Sequence, residues 1–226
     1  MKYLAKILLV IACVLGSWLF PPTRVYWDMV DVAIFQFLNG SLESHHYLQL
    51  FWAVMNSRVG DWLSEVIFVS LFAYYIFSVY GLIKKKRLRQ FSLVLCVVAF
   101  TLVVVNKFIL LNLFHIDRLS PTLVLDSSVK LSEVFPYLHN KDISYSSFPG
   151  EHATTMMLCA LFVWRYCRRW SYRIIATAAA IFFSMPRLIS GAHWFSDVVV
   201  GAGCIACFMW GISSFFLVLK PQMSAE

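Results

Sequence analysis

The chain has 226 residues, of which 60% are hydrophobic and only 14% charged, with a mean hydropathy of +0.73. A soluble domain carries about twice that charged share, so the composition excludes one and points to several membrane spans joined by short loops. The formal charge of +7 does not indicate nucleic-acid binding, because the basic residues concentrate at 84–89 and 165–173, each between two apolar runs, as cytoplasmic loops do.

From the N-terminus, Lys2 and Lys6 precede an apolar run over 4–20 that Pro21-Pro22 stops. With no small-residue cleavage site behind it, this run reads as a retained first span rather than a signal peptide. Residues 23–60 are mixed, with Asp28, Asp31 and His45-His46 among short aromatic-rich pieces at Ile34 to Leu38 and Leu48 to Met55 that suit interfacial helices. Asn56-Ser57-Arg58 with Asp61 reads as a helix cap, the alternative being contact with a substrate head group. Further spans are expected at 61–83, 91–114, 152–166, 174–189 and 196–219, with a long polar loop over 115–151.

Lys2, Lys6, the two basic runs and Lys220 all fall on one side of this arrangement, which makes that side, with the N-terminus, cytoplasmic. Segments 21–60, 115–151 and 188–196 fall on the other. The expected fold is therefore all-α: a single polytopic membrane domain over 1–226, a bundle of six transmembrane helices. Cys13, Cys96, Cys159, Cys167, Cys204 and Cys207 lie in apolar runs or at their edges, which implies buried thiols rather than a disulfide framework. Cys204-x-x-Cys207 has no second pair, so packing explains it better than redox or zinc chemistry.

Three polar clusters converge on the outer side: Asp117 to Thr122, Ser146 to His152, and Arg187 to Asp197 with its pattern Arg-x5-His-x3-Asp. Ionisable groups at the mouth of a membrane helix are expensive, and their default reading is functional. Guanidinium groups at Arg118 and Arg187 suit phosphate, and a helix start after Pro149-Gly150 adds a second anion-binding element. Two histidines, one as nucleophile and one as acid, suit phosphoryl transfer through a covalent intermediate. Asp197, four residues after His193, shares its face on a helix and is expected to orient the imidazole. The histidines have no tight ligand spacing, so neither a metal nor another cofactor is expected.

These clusters resemble the three motifs of the type 2 phosphatidic-acid phosphatase (PAP2) superfamily, Lys-x6-Arg-Pro, Pro-Ser-Gly-His and Ser-Arg-x5-His-x3-Asp. The third is matched except that Pro186 stands for the leading serine; the second keeps Pro149 and His152 around Gly150-Glu151; in the first, Leu119-Ser120 separate Arg118 from Pro121, and Lys107 is the candidate lysine. Arg118 to Leu123, Ser147 to His152, Val163 to Tyr166 and Pro186 to Asp197 are similar to the lipid A phosphotransferase branch of Gram-negative inner membranes. The resemblance implies transfer of phosphate from undecaprenyl pyrophosphate to the 1-phosphate of lipid A at the periplasmic face. In that scheme Arg118, Arg187 and Lys107 hold the donor phosphate. His193, oriented by Asp197, attacks, and His152 protonates the leaving group. Ser147, Gly150 and Glu151 are secondary candidates, with Glu151 tuning His152 or repelling a wrong head group. A hydrolase of undecaprenyl pyrophosphate or another lipid phosphate is the nearest rival. A transporter or lipid-binding scaffold would explain the spans but not the three clusters.

Overall fold

The computed structural model describes residues 2–113 and 117–219. Phe114, where the expected third span ends, His115 and the tail from Lys220 lie outside the described residues. The described chain is helical without strands, as a lipid environment favours: a helix satisfies its own backbone groups.

Helix α1 (Lys2–Leu19) ends at Pro21, and α2 (Pro21–Gly40) leaves it at 85°. Pro21 and Pro22 sit in the first turn of α2, where missing N–H groups cost nothing. The aromatic-rich pieces expected as short interfacial helices are instead a full α2 and a shorter α3 (His46–Met55). Next come α4 (Arg58–Phe77), capped by the Ser57 hydroxyl accepting from Val59 N, and α5 (Gly81–Phe100), which runs on as a π-helix over Thr101–Leu113. The basic run 84–89 therefore belongs to a helix and not to a loop. Lys and Arg are good helix formers, so α5 carries the basic run on its N-terminal turns.

The polar loop contains two single turns, α6 (Pro121–Val124) and α7 (Leu131–Val134). Then follow α8 (Glu151–Tyr166), α9 (Trp170–Ile189) and α10 (Gly203–Leu219), the last entered through a π-turn at Asp197–Ala202. Four helical stretches are long and apolar enough to cross a membrane, or five if α1 and α2 count as one broken span. At 16 residues α8 is short for a span. It is the centre of the bundle, packed against α4, α5, α9 and α10, and buries Leu158, Phe162 and Val163 almost completely. The six cysteines are free thiols.

Arg87, Arg168 and Arg169 line one cavity, so both basic runs meet at one end of the bundle. At the opposite end the polar loop folds back over the helices. Asn39 anchors it, its amide donating to the carbonyls of Val129 (3.0 Å) and Ile189 (2.9 Å) while its oxygen accepts from Val129 N. Asn56 donates to the Lys141 carbonyl at 3.1 Å, and Thr122 to that of Asp142. After α9 the chain reverses at Gly191, with φ +79°. A Cβ there would meet Thr122 Cγ2 at 2.6 Å and Phe35 Cε2 at 2.8 Å, so both conformation and space require glycine.

Candidate active site

That reversal delivers Arg187, on the last turn of α9, and His193, in the following loop, to a cavity of about 420 Å3. His152 and Glu151 reach it from the first turn of α8, Asp61 from the first turn of α4, and Lys141 and Ser146 from the polar loop. Both candidate histidines thus line one cavity.

His193 Nδ1 lies 2.6 Å from the Ser147 backbone oxygen. A carbonyl only accepts, so Nδ1 carries the proton and donates, leaving Nε2 with its lone pair. Ser147 N in turn donates to the Arg118 carbonyl at 2.7 Å, and the Trp194 indole to that of Leu119 at 2.8 Å. The histidine is held by the backbone of the polar loop. Burial, first, and then Arg187 hold its pKa below the ordinary 6.5, against the opposing pull of Asp197 and the Ser147 carbonyl.

Asp197 was expected to hold the imidazole. Its Oδ1 instead accepts from Arg118 Nη1 at 2.5 Å, and its Oδ2 from the backbone N of Trp194 at 2.8 Å. The four-residue spacing stacks two side chains only on a helix that starts at His193, and helical structure begins only at Phe195, so the spacing does not bring them together. Arg118 also donates to Ser196 Oγ (2.9 Å) and Asp31 Oδ2 (2.7 Å). Asp31 accepts from Ser196 N and Oγ as well, at 2.7 and 2.6 Å. Asp31 and Asp197 are 1% and 0% exposed, and their charges and hydrogen bonds raise the pKa of Arg118 against the opposing, larger single effect of its burial. Both terminal nitrogens of Arg118 are thus engaged behind the histidine loop, and the residue does not line the cavity.

Lys107 is exposed on the π-helical stretch and is not among the cavity walls. Gly150 is buried at the start of α8, and its N–H donates to the Asp197 carbonyl at 3.4 Å. The hydroxyls of Ser146, on the wall, and Ser147, behind it, are buried without a hydrogen-bond partner among the described residues.

Three contributors are not among the expected site residues, although head-group contact is the alternative reading of the Asn56–Asp61 cluster. Lys141 had no motif around it. Asn56 and Asp61 read as a cap, yet Arg187 Nη1 donates to the Asn56 carbonyl (2.8 Å) and Oδ1 (2.6 Å), and Nη2 to Asp61 Oδ1 (2.6 Å). Asp61 Oδ2 accepts from Lys141 Nζ at 2.8 Å, and Oδ1 lies 3.6 Å from His152 Nδ1. The polar cluster at the start of α4 is the available signal. Among the described residues no three His, Cys, Asp or Glu side chains are grouped to hold a metal. Phe148 lines both this polar cavity and an apolar groove of about 550 Å3 bounded by Leu15, Trp18, Val105, Cys204 and Phe208.

Residues 93–220, more than half of the chain, match the model of the PAP2 superfamily. The chain belongs to the PAP2 superfamily. It is 32% identical over 187 residues to the lipid A 1-diphosphate synthase of Escherichia coli (strain K12), covering 82% of this chain and 76% of that protein. Its fold is similar to the crystal structure of a transmembrane PAP2 type phosphatidylglycerolphosphate phosphatase from Bacillus subtilis, with a TM-score of 0.54 at 20% identity, over 100% of this chain and 98% of that one. This PAP2 protein is a membrane enzyme of the phosphatase and phosphotransferase class. The matched segment carries Arg118, His152, Arg187, His193 and Asp197; Asp31, Asn56 and Asp61 precede it.

Proposed function

We propose that the enzyme moves the terminal phosphoryl group of undecaprenyl pyrophosphate to the 1-phosphate of lipid A through a phosphohistidine at His193. The observation that carries this reading is the His193 ring itself, with Nδ1 committed to the Ser147 carbonyl and Nε2 left as a nucleophile on a cavity that also holds Arg187, Lys141 and His152. Its depressed pKa keeps the lone pair free at neutral pH.

In the first step Nε2 attacks the terminal phosphorus. The bond from phosphorus to the bridging oxygen breaks, and undecaprenyl phosphate leaves with a proton from His152. In the second, an oxygen of the lipid A phosphate attacks the phosphohistidine and Nε2 regains its electron pair. Arg187 and Lys141 offset the charge on the transferring group, which needs no metal in this scheme. Arg118 and Asp197 act from behind, fixing the loop that carries His193. The groove that shares Phe148 with the cavity suits the prenyl chain. The basic end of the bundle supports a cytoplasmic N-terminus with the site at the periplasmic face of a bacterial inner membrane.

Reconstitution with donor labelled in its terminal phosphate, together with lipid A, tests the reading. Label on lipid A is expected. Label released only as inorganic phosphate would make the enzyme a hydrolase.

A further inference from the structure

Asp61 occupies the position an anion would take in this cavity. Its two oxygens are gripped by the two cations on the wall, Arg187 at 2.6 Å and Lys141 at 2.8 Å, with His152 Nδ1 at 3.6 Å. The other side of the Arg187 guanidinium is fixed by Asn56. The arginine is therefore positioned without Asp61. Nor does α4 need the carboxylate as its cap, since Ser57 fills that role. Asp61 comes from a segment ahead of the family match, and its side chain is 19% exposed, against 5% for Arg187. Asp61 is thus the more accessible partner of the pair, and the arginine the more firmly held.

We propose that Asp61 is a tethered competitor for the phosphoryl subsite: it neutralises Arg187 and Lys141 in the empty enzyme and yields them only to a terminal phosphoryl group, so that the site selects its ligands by charge. This rests on the reading of the cavity as a phosphoryl site. A terminal phosphoryl group carries about −1.5 to −2 at pH 7, whereas a phosphodiester carries a single charge. Exchanging a tethered carboxylate for a diester gains no Coulomb energy. Exchanging it for a near-dianion between two cations in a half-buried site does. The carboxylate thus works as a repulsive element against the wrong ligand, and selectivity is a difference of affinities.

The test uses purified full-length enzyme and two inhibitors of donor turnover, inorganic phosphate and dimethyl phosphate. Asp61→Asn is expected to bind both more tightly, with the diester gaining about tenfold and more than phosphate does; Asp61→Glu restores the wild-type ratio. An unchanged ratio, or weaker binding of both, overturns the proposal. So does a fall in kcat at constant KM that Asp61→Glu rescues, because Asp61 would then be acting on His152. If Asp61→Asn does not fold, a structure of the wild type with orthovanadate decides. Asp61 parted from Arg187 supports the proposal, and Asp61 still paired overturns it. Wild type that binds phosphate with no gain in the variant removes only the role of Asp61; failure of wild type and variant alike to bind phosphate or vanadate removes the phosphoryl-site reading with it.

Discussion

Arg118 Nη1 lies 2.5 Å from Asp197 Oδ1. The acid of the Arg-x5-His-x3-Asp pattern thus pairs with an arginine 79 residues before it rather than with the histidine beside it in sequence. The guanidinium bridges two buried carboxylates and Ser196. Lysine, a single point charge, cannot span them. Arg118→Ala is expected to destabilise the folded enzyme by about 3–5 kcal/mol, the usual effect of leaving a buried charge unpaired, and Arg118→Lys by a smaller amount. Denaturation of the purified protein measures both. Combining Arg118→Ala with Asp31→Asn should recover part of the loss, since it removes one of the stranded charges.

Arg187→Lys tests the opposite kind of arginine, one that faces the cavity. Its fork reaches Asn56 with one nitrogen and Asp61 with the other, and an ammonium cannot do both. The expected result is a fall in kcat/KM of about 10- to 100-fold, or about 1.4–2.8 kcal/mol, with the fold retained. Steady-state kinetics with circular dichroism checks it.

Gly191 sets where His193 lands. Alanine there must hold φ +79° and place a Cβ 2.6 Å from Thr122 Cγ2, a strain of about 1–3 kcal/mol before any clash is relieved. Gly191→Ala is expected to lower both the melting temperature and kcat. Thr122→Ser, which removes the methyl group in the way, should restore part of each.

The pH behaviour follows from His193, whose pKa lies below 6.5 in the folded protein because it is buried. As the pH falls past 6.5 the unfolded chain takes up a proton that the folded ring resists. Stability from this group is therefore complete above about pH 6.5 and is lost as the pH drops through the folded pKa. His193→Gln should be less acid-sensitive in an unfolding titration than the wild type. The acid limb of kcat/KM assigned to His193 should lie below pH 6.5.

The helical architecture and the third cluster were legible in the sequence because both are local patterns: apolar runs of span length, and ionisable residues at the mouth of one of them. The companions of the cluster were not, because tertiary contacts supply them. Asn56 and Asp61 meet Arg187 across 131 and 126 residues, and nothing near Lys141 sets it apart. The His193–Asp197 spacing does not become a shared helical face because the helix starts at Phe195, after the histidine. The charge of the run at 84–89 suggests a loop, yet Lys and Arg propagate a helix once it leaves the apolar layer.

The proposed reaction passes through a covalent phosphohistidine. Wild-type enzyme mixed with donor labelled in its terminal phosphate, quenched in base within the first turnover and digested, should yield one labelled peptide carrying acid-labile phosphate on His193. His193→Ala, folded, should yield none and turn over no donor. Label on another residue, or turnover by His193→Ala near the wild-type rate, would rule out His193 as the nucleophile.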